Sequence, residues 1–380
     1  MKNYVKECKN KLNIVYFNRD SNLELLRIIS MIMIIMQHYA LYSGFEFTAQ
    51  ITINKIVVEI IKSFGKLGVA IFIIVSGYFY DKTTFKLKKL LNLMLKVWIY
   101  SILGLIIGIL TTSNKLNTIN IIKSLLPTTF GLYWFVSCYV LLYIFSPWIK
   151  KVMDRFERTE MKSCLILMFF IWSIIAIIPE TKVFYTEYMS FILIYILGAY
   201  IKKYDVNILK TNRTRISMAI IIIIILIVLT ITLMFLANKI SFIKNKTQYL
   251  NQEKSPLIII LTILILNIFR TLKVKKNVII NLIATTTFGI YLIHENVFLR
   301  DIIWKNIVNA NNYINSNLLI YNALFGIIVV FFGCIIIDLF VQKILQPVIF
   351  KIFKRIFNNV SKTKLFNNIK FKLDSLYNKL

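Results

Sequence analysis

Long apolar runs separated by short charged stretches dominate the pattern of this sequence. A helix needs about 20 apolar residues to cross the roughly 30 Å hydrocarbon core of a bilayer. Ten apolar windows bounded by charge follow one another, several of them short for a span, at 23–43, 58–80, 91–112, 131–149, 163–179, 188–201, 216–237, 256–270, 278–296 and 318–341. Residues 53–66, with Lys62 and Lys66, form a polar-faced lead-in to the second window. The pattern predicts an all-α integral membrane protein with about ten transmembrane helices.

The composition supports a membrane protein and gives no sign of a metal site. Of the 380 residues, 58% are hydrophobic and the mean hydropathy is +0.71, whereas soluble domains are roughly 45 to 50% apolar. The four cysteines show no C-x-x-C spacing, and three lie in or beside apolar runs. We therefore expect neither a disulfide framework nor a bound metal.

The distribution of basic residues predicts the topology. The formal net charge is +29. When alternate gaps between windows are grouped, one side carries 32 lysines and arginines and the other carries 10. Cytoplasmic loops are the basic ones, so both termini are expected in the cytoplasm and the excess charge is expected to contact anionic lipids. Nucleic acid is not expected as a partner, because the basic residues form short clusters between apolar runs.

The chain is predicted to hold one membrane domain between two basic segments. Residues 1–20 are expected to be a basic cytoplasmic segment without a cleavable signal, because the first apolar run is too long for a signal peptide. Residues 21–341 form the transmembrane domain. Residues 342–380 are expected to be a basic cytoplasmic tail at the membrane interface.

The first window, NLELLRIISMIMIIMQHYA, contains three ionisable residues. Glu24 and Arg27 are three residues apart, close enough to pair on a helix. His38 comes eleven residues after Arg27, a rotation of three helical turns plus about 20°. The side chains of Glu24, Arg27 and His38 therefore lie on one stripe of the helix. Along the helix axis, His38 lies about 16 Å beyond Arg27. Such residues usually face a protein interior or a water-filled cavity. An interfacial ion pair with a snorkelling histidine remains the alternative.

The second of the two histidines, His294, lies in TTTFGIYLIHENVFL at the end of the ninth window. Both imidazoles are therefore expected at the same outer depth of the membrane. Histidine titrates near neutral pH and is the usual general base for a hydroxyl. Two histidines at one level indicate proton or acyl transfer.

Four segments in this order resemble the acyltransferase-3 family of multi-pass membrane acyltransferases, over roughly residues 20 to 340. The resemblance rests on Glu24, Arg27 and His38 in the first helix, on Phe72, Ser76, Gly77 and Tyr78 in GVAIFIIVSGYFY, on Tyr133, Trp134, Tyr143 and Pro147 in YWFVSCYVLLYIFSP, and on Tyr291 to His294 in YLIH. It implies O-acetylation of a bacterial cell-surface polysaccharide at the plasma membrane. It also implies acetyl-CoA as the cytoplasmic donor, an exported or lipid-linked glycan hydroxyl as acceptor, and no permanently bound cofactor.

The resemblance also implies roles for individual residues. His38 would be the general base or a transient acyl carrier, with Arg27 orienting the donor and Glu24 holding Arg27. His294 is a second catalytic candidate, or an acceptor-binding group, or a hydrogen-bonded helix end. Substrate contacts are expected from Tyr133 and Trp134, which would stack on a sugar or belong to an interfacial aromatic belt, and from Ser76 and Tyr291.

One motif departs from the family pattern. The family commonly has Arg-x-x-Arg after its second helix, where this chain has Lys86 and Lys89 in DKTTFKLKKLL. Lysine keeps the charge but lacks the planar fork that binds phosphate bidentately. These lysines, with Lys88 beside them, are expected either to bind the phosphates of acyl-CoA or to act only as topology signals.

Two other classes of protein remain open. A transporter or flippase of a glycan or lipid intermediate would also have many spans and buried ionisable groups, although no internal repeat is evident. A non-catalytic scaffold would leave the stripe of Glu24, Arg27 and His38 without a purpose. The sequence leaves open the acceptor glycan and the choice between acetyl and a larger acyl group.

Overall fold

Helices make up nearly all of the regular structure in this computed structural model, which describes residues 19–82, 85–111, 113–179, 181, 186–243 and 246–360. No strand occurs within those ranges. The helices of eight residues or more in the described part are α1 (Ser21–Tyr42), α2 (Ile53–Tyr78), α3 (Leu87–Leu110), α4 (Thr118–Leu125), α5 (Trp134–Arg155), α6 (Arg158–Phe169), α7 (Glu187–Tyr204), α8 (Asn212–Ala237), α9 (Pro256–Thr271), α10 (Val278–His294), α11 (Leu319–Phe340) and α12 (Gln346–Val360). The all-α prediction is confirmed, and each of the ten predicted windows overlaps one helix.

Seven helical segments in the described part are long and apolar enough to cross a membrane. They are α1, α3, α5, α8, and the longer segments Arg158–Ile177, Tyr249–Thr271 and Leu319–Arg355. An eighth arises if α10 and the segment Leu299–Tyr313, bent by 95°, count as one broken span. The protein is therefore a multi-pass membrane protein. The predicted windows 58–80 and 188–201 coincide with α2 and α7, which are not among the seven.

The bundle is centred on α1 and α2, which run antiparallel and pack along each other. We call its two ends the Ser21 end, where α1 begins, and the Tyr42 end, where α1 finishes. The lead-in 53–66 belongs to α2 itself, so its charged residues lie at the Tyr42 end. Because Ser21 hydrogen-bonds Asn281 near the start of α10, α10 also runs from the Ser21 end to the Tyr42 end.

Close packing between α2 and α7 explains the small residues of the second motif. A Cβ on Gly77 would lie 2.0 Å from the carbonyl oxygen of Tyr195, and one on Gly198 would lie 2.2 Å from that of Ile74. Small residues let two membrane helices approach at this distance. The Ser-Gly-aromatic motif therefore serves, at Gly77, the contact between two helices.

The sharp bend after α10 is built around Asn296, which is fully buried. Its side-chain oxygen accepts a hydrogen bond from the amide of Phe298 at 3.0 Å. Its side-chain nitrogen donates to the hydroxyl of Tyr133 at 2.8 Å. A Cβ on Gly104 of α3 would lie 2.2 Å from the same nitrogen, so only glycine leaves space for this side chain. The bend thus connects α10 to α3 and to the start of α5.

The basic tail begins as an amphipathic helix. In α12, Phe350 and Phe353 pack against the core, whereas Lys351, Lys354 and Arg355 are exposed. This arrangement suits a helix lying at a membrane surface. Most of the predicted segment 1–20 and residues 361–380 of the predicted tail lie outside the described residues.

Candidate active site

Glu24 and Arg27 form the ion pair that their spacing predicts, near the Ser21 end of α1. One guanidinium nitrogen of Arg27 lies 3.0 and 3.1 Å from the two carboxylate oxygens of Glu24. Arg19 adds a second contact to Glu24 at 3.2 Å. Glu24 is buried, while the side chain of Arg27 is 21% exposed. Glu24 therefore holds Arg27 in a fixed position from which its guanidinium remains partly accessible.

The two histidines lie side by side at the Tyr42 end, and their sequence positions predict the common depth but not the contact. The ring centroids of His38 on α1 and His294 at the end of α10 are 4.9 Å apart. Both side chains are buried, with His38 5% and His294 0% exposed. The stripe along α1 is therefore a buried interior face, and contact between α1 and α10 brings the imidazoles together.

Glu295, which the sequence analysis did not select, adds a carboxylate to the two histidines. Oε2 of Glu295, in the bend directly after His294, lies 3.4 Å from Nδ1 of His38. Oε1 of Glu295 accepts a hydrogen bond from the Tyr42 hydroxyl at 3.0 Å and lies 4.0 Å from the Arg300 guanidinium. Glu295 is itself buried. One carboxylate oxygen of Glu295 thus faces His38, while Tyr42 and Arg300 hold the other oxygen.

The hydrogen bond of His294 assigns its tautomer. Nδ1 lies 2.6 Å from the carbonyl oxygen of Ile290, one turn earlier in α10. A carbonyl oxygen only accepts, so Nδ1 carries the proton and Nε2 is the unprotonated nitrogen of the neutral ring. Among the described residues, no side chain or backbone group hydrogen-bonds this buried Nε2. His294 therefore presents a free acceptor atom to its surroundings.

Unpaired buried polar atoms concentrate around the two histidines. Each such atom costs roughly 1 to 3 kcal/mol, so a group of them in one place needs a reason. Within the described part of the chain, the atoms without a hydrogen bond here are Nδ1 of His38, Nε2 of His294, Oε2 of Glu295, the hydroxyl of Tyr291 and Nε1 of Trp304. Nδ1 of His38 and Oε2 of Glu295 lie 3.4 Å from each other, and a polar substrate or water would satisfy the other three atoms, as expected for a binding or catalytic centre.

Aromatic side chains form the walls of this centre. The ring of Tyr291 lies 6.5 Å from that of His38 and 6.2 Å from that of Tyr133. Trp304, in the segment after the bend, meets the ring of His294 edge-on at 6.4 Å. Tyr133 and Tyr291, both predicted to contact substrate, are therefore part of the site. Trp134 lies one residue farther along, with Nζ of Lys66 4.2 Å from its ring centroid.

The remaining predicted residues lie away from the histidines. The hydroxyl of Ser76 donates to the carbonyl of Phe72 at 2.9 Å, so it is satisfied within its own helix. Lys86 and Lys89 are exposed at the start of α3, at the Ser21 end. The Arg27 guanidinium lies 5.4 Å from the ring of Phe79, seven residues before Lys86. The lysines thus share one end of the bundle with Arg27.

Glu295, Tyr42, Arg300 and Asn296 are site residues that the sequence analysis missed. A usable signal existed for two of them. Glu295 directly follows His294, and an acidic residue beside a histidine near the end of an apolar window is uncommon. Tyr42 comes four residues after His38, which is about one helical turn. Arg300 and Asn296 reach the site through the bend, which the apolar pattern does not indicate.

Comparison with known proteins identifies the domain. The family described as "Acyltransferase domain" matches residues 20–339, which is most of the chain and includes every site residue named above except Arg19. No curated protein and no solved structure matches the chain significantly.

Proposed function

Since this chain belongs to the acyltransferase-3 family and is a membrane acyltransferase, we propose that it moves an acetyl or similar acyl group from cytoplasmic acyl-CoA to a hydroxyl of an exported or lipid-linked cell-surface glycan. The observation that carries the proposal is the buried group of His38, His294 and Glu295. A general base held by a carboxylate is what acyl transfer to a hydroxyl requires.

The proposal includes a topology of ten spans in a bacterial plasma membrane with both termini in the cytoplasm. The excess of lysine and arginine on one side of the bundle supports this orientation. The Ser21 end would then face the cytoplasm, with Arg27 near it. His38 would lie in the outer half of the membrane, about 16 Å farther along α1.

In this orientation the donor enters from the Ser21 end. Lys86 and Lys89 are exposed there and would bind the phosphates of acyl-CoA as point charges. Arg27, held by Glu24, would orient the pantetheine arm or the thioester as it extends towards His38. A firmly held cation needs little reorganisation when the substrate arrives.

His38 would act as the general base. Its Nδ1 faces Glu295, so Nε2 is left to take the proton of the acceptor hydroxyl. The hydroxyl oxygen then attacks the thioester carbonyl carbon, the carbon–sulfur bond breaks, and the CoA thiolate leaves and receives the proton from His38. Glu295 would stabilise the imidazolium formed in between, as a carboxylate does in a catalytic triad.

The unpaired atoms around His38 suit the other polar groups of the reaction. Nε2 of His294 would accept a hydrogen bond from a neighbouring hydroxyl of the acceptor. The Tyr291 hydroxyl would donate to the oxyanion that forms on the thioester carbonyl. Preorganised donors of this kind contribute strongly in a site from which water is excluded.

Inside-out membrane vesicles test both the reaction and its orientation. Acetyl-CoA does not cross membranes, so vesicles that expose the cytoplasmic face should transfer label from external radiolabelled acetyl-CoA to glycan as alkali-labile ester. Right-side-out vesicles from the same cells should transfer none, and vesicles from cells lacking the gene serve as background. Absence of gene-dependent ester in either preparation would refute the proposed reaction, and transfer only in right-side-out vesicles would refute the orientation.

The two lysines at the start of α3 should contribute to donor affinity. Replacing Lys86 and Lys89 together by alanine should weaken acetyl-CoA binding roughly three- to tenfold, because exposed charge contacts are individually modest. Titration of the purified protein in detergent with acetyl-CoA measures this change. Joint replacement of Lys351 and Lys354, an exposed pair of equal spacing in α12, is the matched control. Equal affinity in both double variants would leave Lys86 and Lys89 with a topological role only.

A further inference from the structure

A large polar pocket opens at the Tyr42 end, beside the first turns of α2. Its volume is about 1140 Å³, which slightly exceeds the range of roughly 300 to 1,000 Å³ that is usual for ligand sites. The loop after α1, the end of α8 and Thr247 form its other walls. None of its lining residues takes part in the steps proposed for donor binding or for His38.

The pocket is basic. Three lysines line it, Lys55, Lys62 and Lys239, against one acidic residue, Glu59. The carboxylate of Glu59 is already engaged by Lys62 at 3.2 Å and by Thr247 at 3.1 Å. Lys55 donates to the carbonyl of Thr48 at 2.8 Å, and this neutral partner does not offset the charge of the lysine. Lys239 is exposed at the rim. The remaining positive charge favours an anionic ligand.

A charged stripe on α2 leads from this pocket to the candidate active site. Lys55, Glu59, Lys62 and Lys66 are spaced by four, three and four residues, so they lie on one face of the helix. Lys62 lines the pocket, and Lys66 follows about 6 Å farther along the helix axis. Lys66 pairs with the buried Glu253 at 3.0 Å.

The inner end of this stripe reaches the depth of the histidines. Gly65, next to Lys66, lies directly against the side chain of Gln37, the residue before His38. Lys66 also lies over the ring of Trp134, whose neighbour Tyr133 is part of the aromatic wall. The stripe therefore runs from the pocket towards the level of His38.

We propose that this pocket binds an anionic group of the acceptor, a phosphate or a carboxylate, while a hydroxyl of the same molecule extends to His38. The inference rests on the proposed function and specifies its substrate class. The acceptor is an acidic saccharide or polyol rather than a neutral glycan. Lysine charges at the pocket both attract the acceptor and set which hydroxyl along it reaches the base.

Competition between defined oligomers tests this assignment. The purified protein in detergent transfers radiolabelled acetyl from acetyl-CoA to the glycan fraction of the source cells. A glycerol phosphate oligomer, an oligogalacturonate and uncharged maltohexaose of similar length are each added as competitors. Inhibition by either anionic oligomer but not by maltohexaose is expected, and the two anionic arms distinguish phosphate from carboxylate. Equal inhibition by maltohexaose, or inhibition by none of the three, would overturn the proposal.

Replacing pocket lysines by glutamate tests whether the anionic oligomers bind in this pocket. Lys55→Glu together with Lys239→Glu should weaken inhibition by the anionic oligomers about tenfold and leave acetyl-CoA binding unchanged. Lys123→Glu, on α4 and outside the lining of the pocket, is the control and should resemble wild type. Unchanged inhibition in the double variant would refute the pocket as the site. A wild-type protein that transfers no acetyl group would instead refute the proposed function, so the two failures are distinguishable.

Discussion

Replacing His38 by alanine should lower acyl transfer by roughly 10² to 10⁴-fold, the usual contribution of a general base. The imidazole lies 4.9 Å from that of His294 and faces the carboxylate of Glu295. No other histidine is present in the chain. His294 is not expected to replace it, because Nδ1 of His294 donates to the neutral carbonyl of Ile290, whereas Nδ1 of His38 faces a carboxylate. Transfer of radiolabelled acetyl to the glycan fraction, at matched amounts of membrane protein, measures the loss.

Two comparisons separate chemistry from folding in this experiment. Gln37→Ala removes a polar side chain from the same turn of α1 and should retain most of the activity. Acetyl-CoA binding should be similar in both variants and in wild type, because the proposed donor site lies at the Ser21 end. His38→Ala with undiminished transfer would exclude His38 as the base. Loss of donor binding as well would show that the substitution disrupts the bundle.

The apolar pattern predicts ten of the twelve helices of eight residues or more in the described part, and misses α4 and α12. Each window of about 20 apolar residues lies on a helix, because membrane helices satisfy their own backbone hydrogen bonds and need no distant partner. The pattern was less informative where a helix carries charge. Residues 53–66 looked like a separate lead-in, yet they form the first half of α2, whose charged face is covered in part by Thr247 and Gln248.

The sequence predicts the common depth of the two histidines but not their contact. His38 and His294 lie near the ends of windows that run in the same direction, so both had to come to the same level of the bilayer. Whether their helices also touch depends on packing, which the sequence does not display. The structure supplies that contact between α1 and α10.

The contacts of Glu295 could not be predicted from the sequence. Its partners His38 and Tyr42 are more than 250 residues away, and the contact exists only because α10 ends at His294 and the chain bends by 95°. Ser76 is the opposite case. Its motif suggested a substrate contact, whereas its hydroxyl is bonded within α2 and its neighbour Gly77 allows close packing with α7. The substrate contact of Ser76 therefore stays a prediction that the structure gives no reason to favour.

Replacing Glu295 by glutamine should lower kcat for acyl transfer by about 10²-fold and leave KM for acetyl-CoA unchanged. Glutamine keeps the shape of the side chain but removes the charge that would stabilise the imidazolium of His38. In a buried site this charge acts through a low dielectric, so its loss affects the transition state far more than an exposed charge would. Initial rates at several acetyl-CoA concentrations separate kcat from KM.

Asp301→Asn is the matched control for that substitution, because it also removes one carboxylate shortly after the same bend. The side chain of Asp301 is 35% exposed and pairs with Lys305, whose side chain is 50% exposed. Screening by solvent makes such a pair nearly neutral in energy, so kcat should stay within about twofold of wild type.

Tyr42→Phe removes the hydrogen bond that holds Glu295 and should give an intermediate loss. Equal kcat values for Glu295→Gln and Asp301→Asn would show that His38 works without this carboxylate. A fall in kcat accompanied by a raised KM would show that Glu295 supports the structure of the domain rather than the imidazolium. The order Glu295→Gln, then Tyr42→Phe, then Asp301→Asn in loss of kcat is the result that the contacts around His38 require.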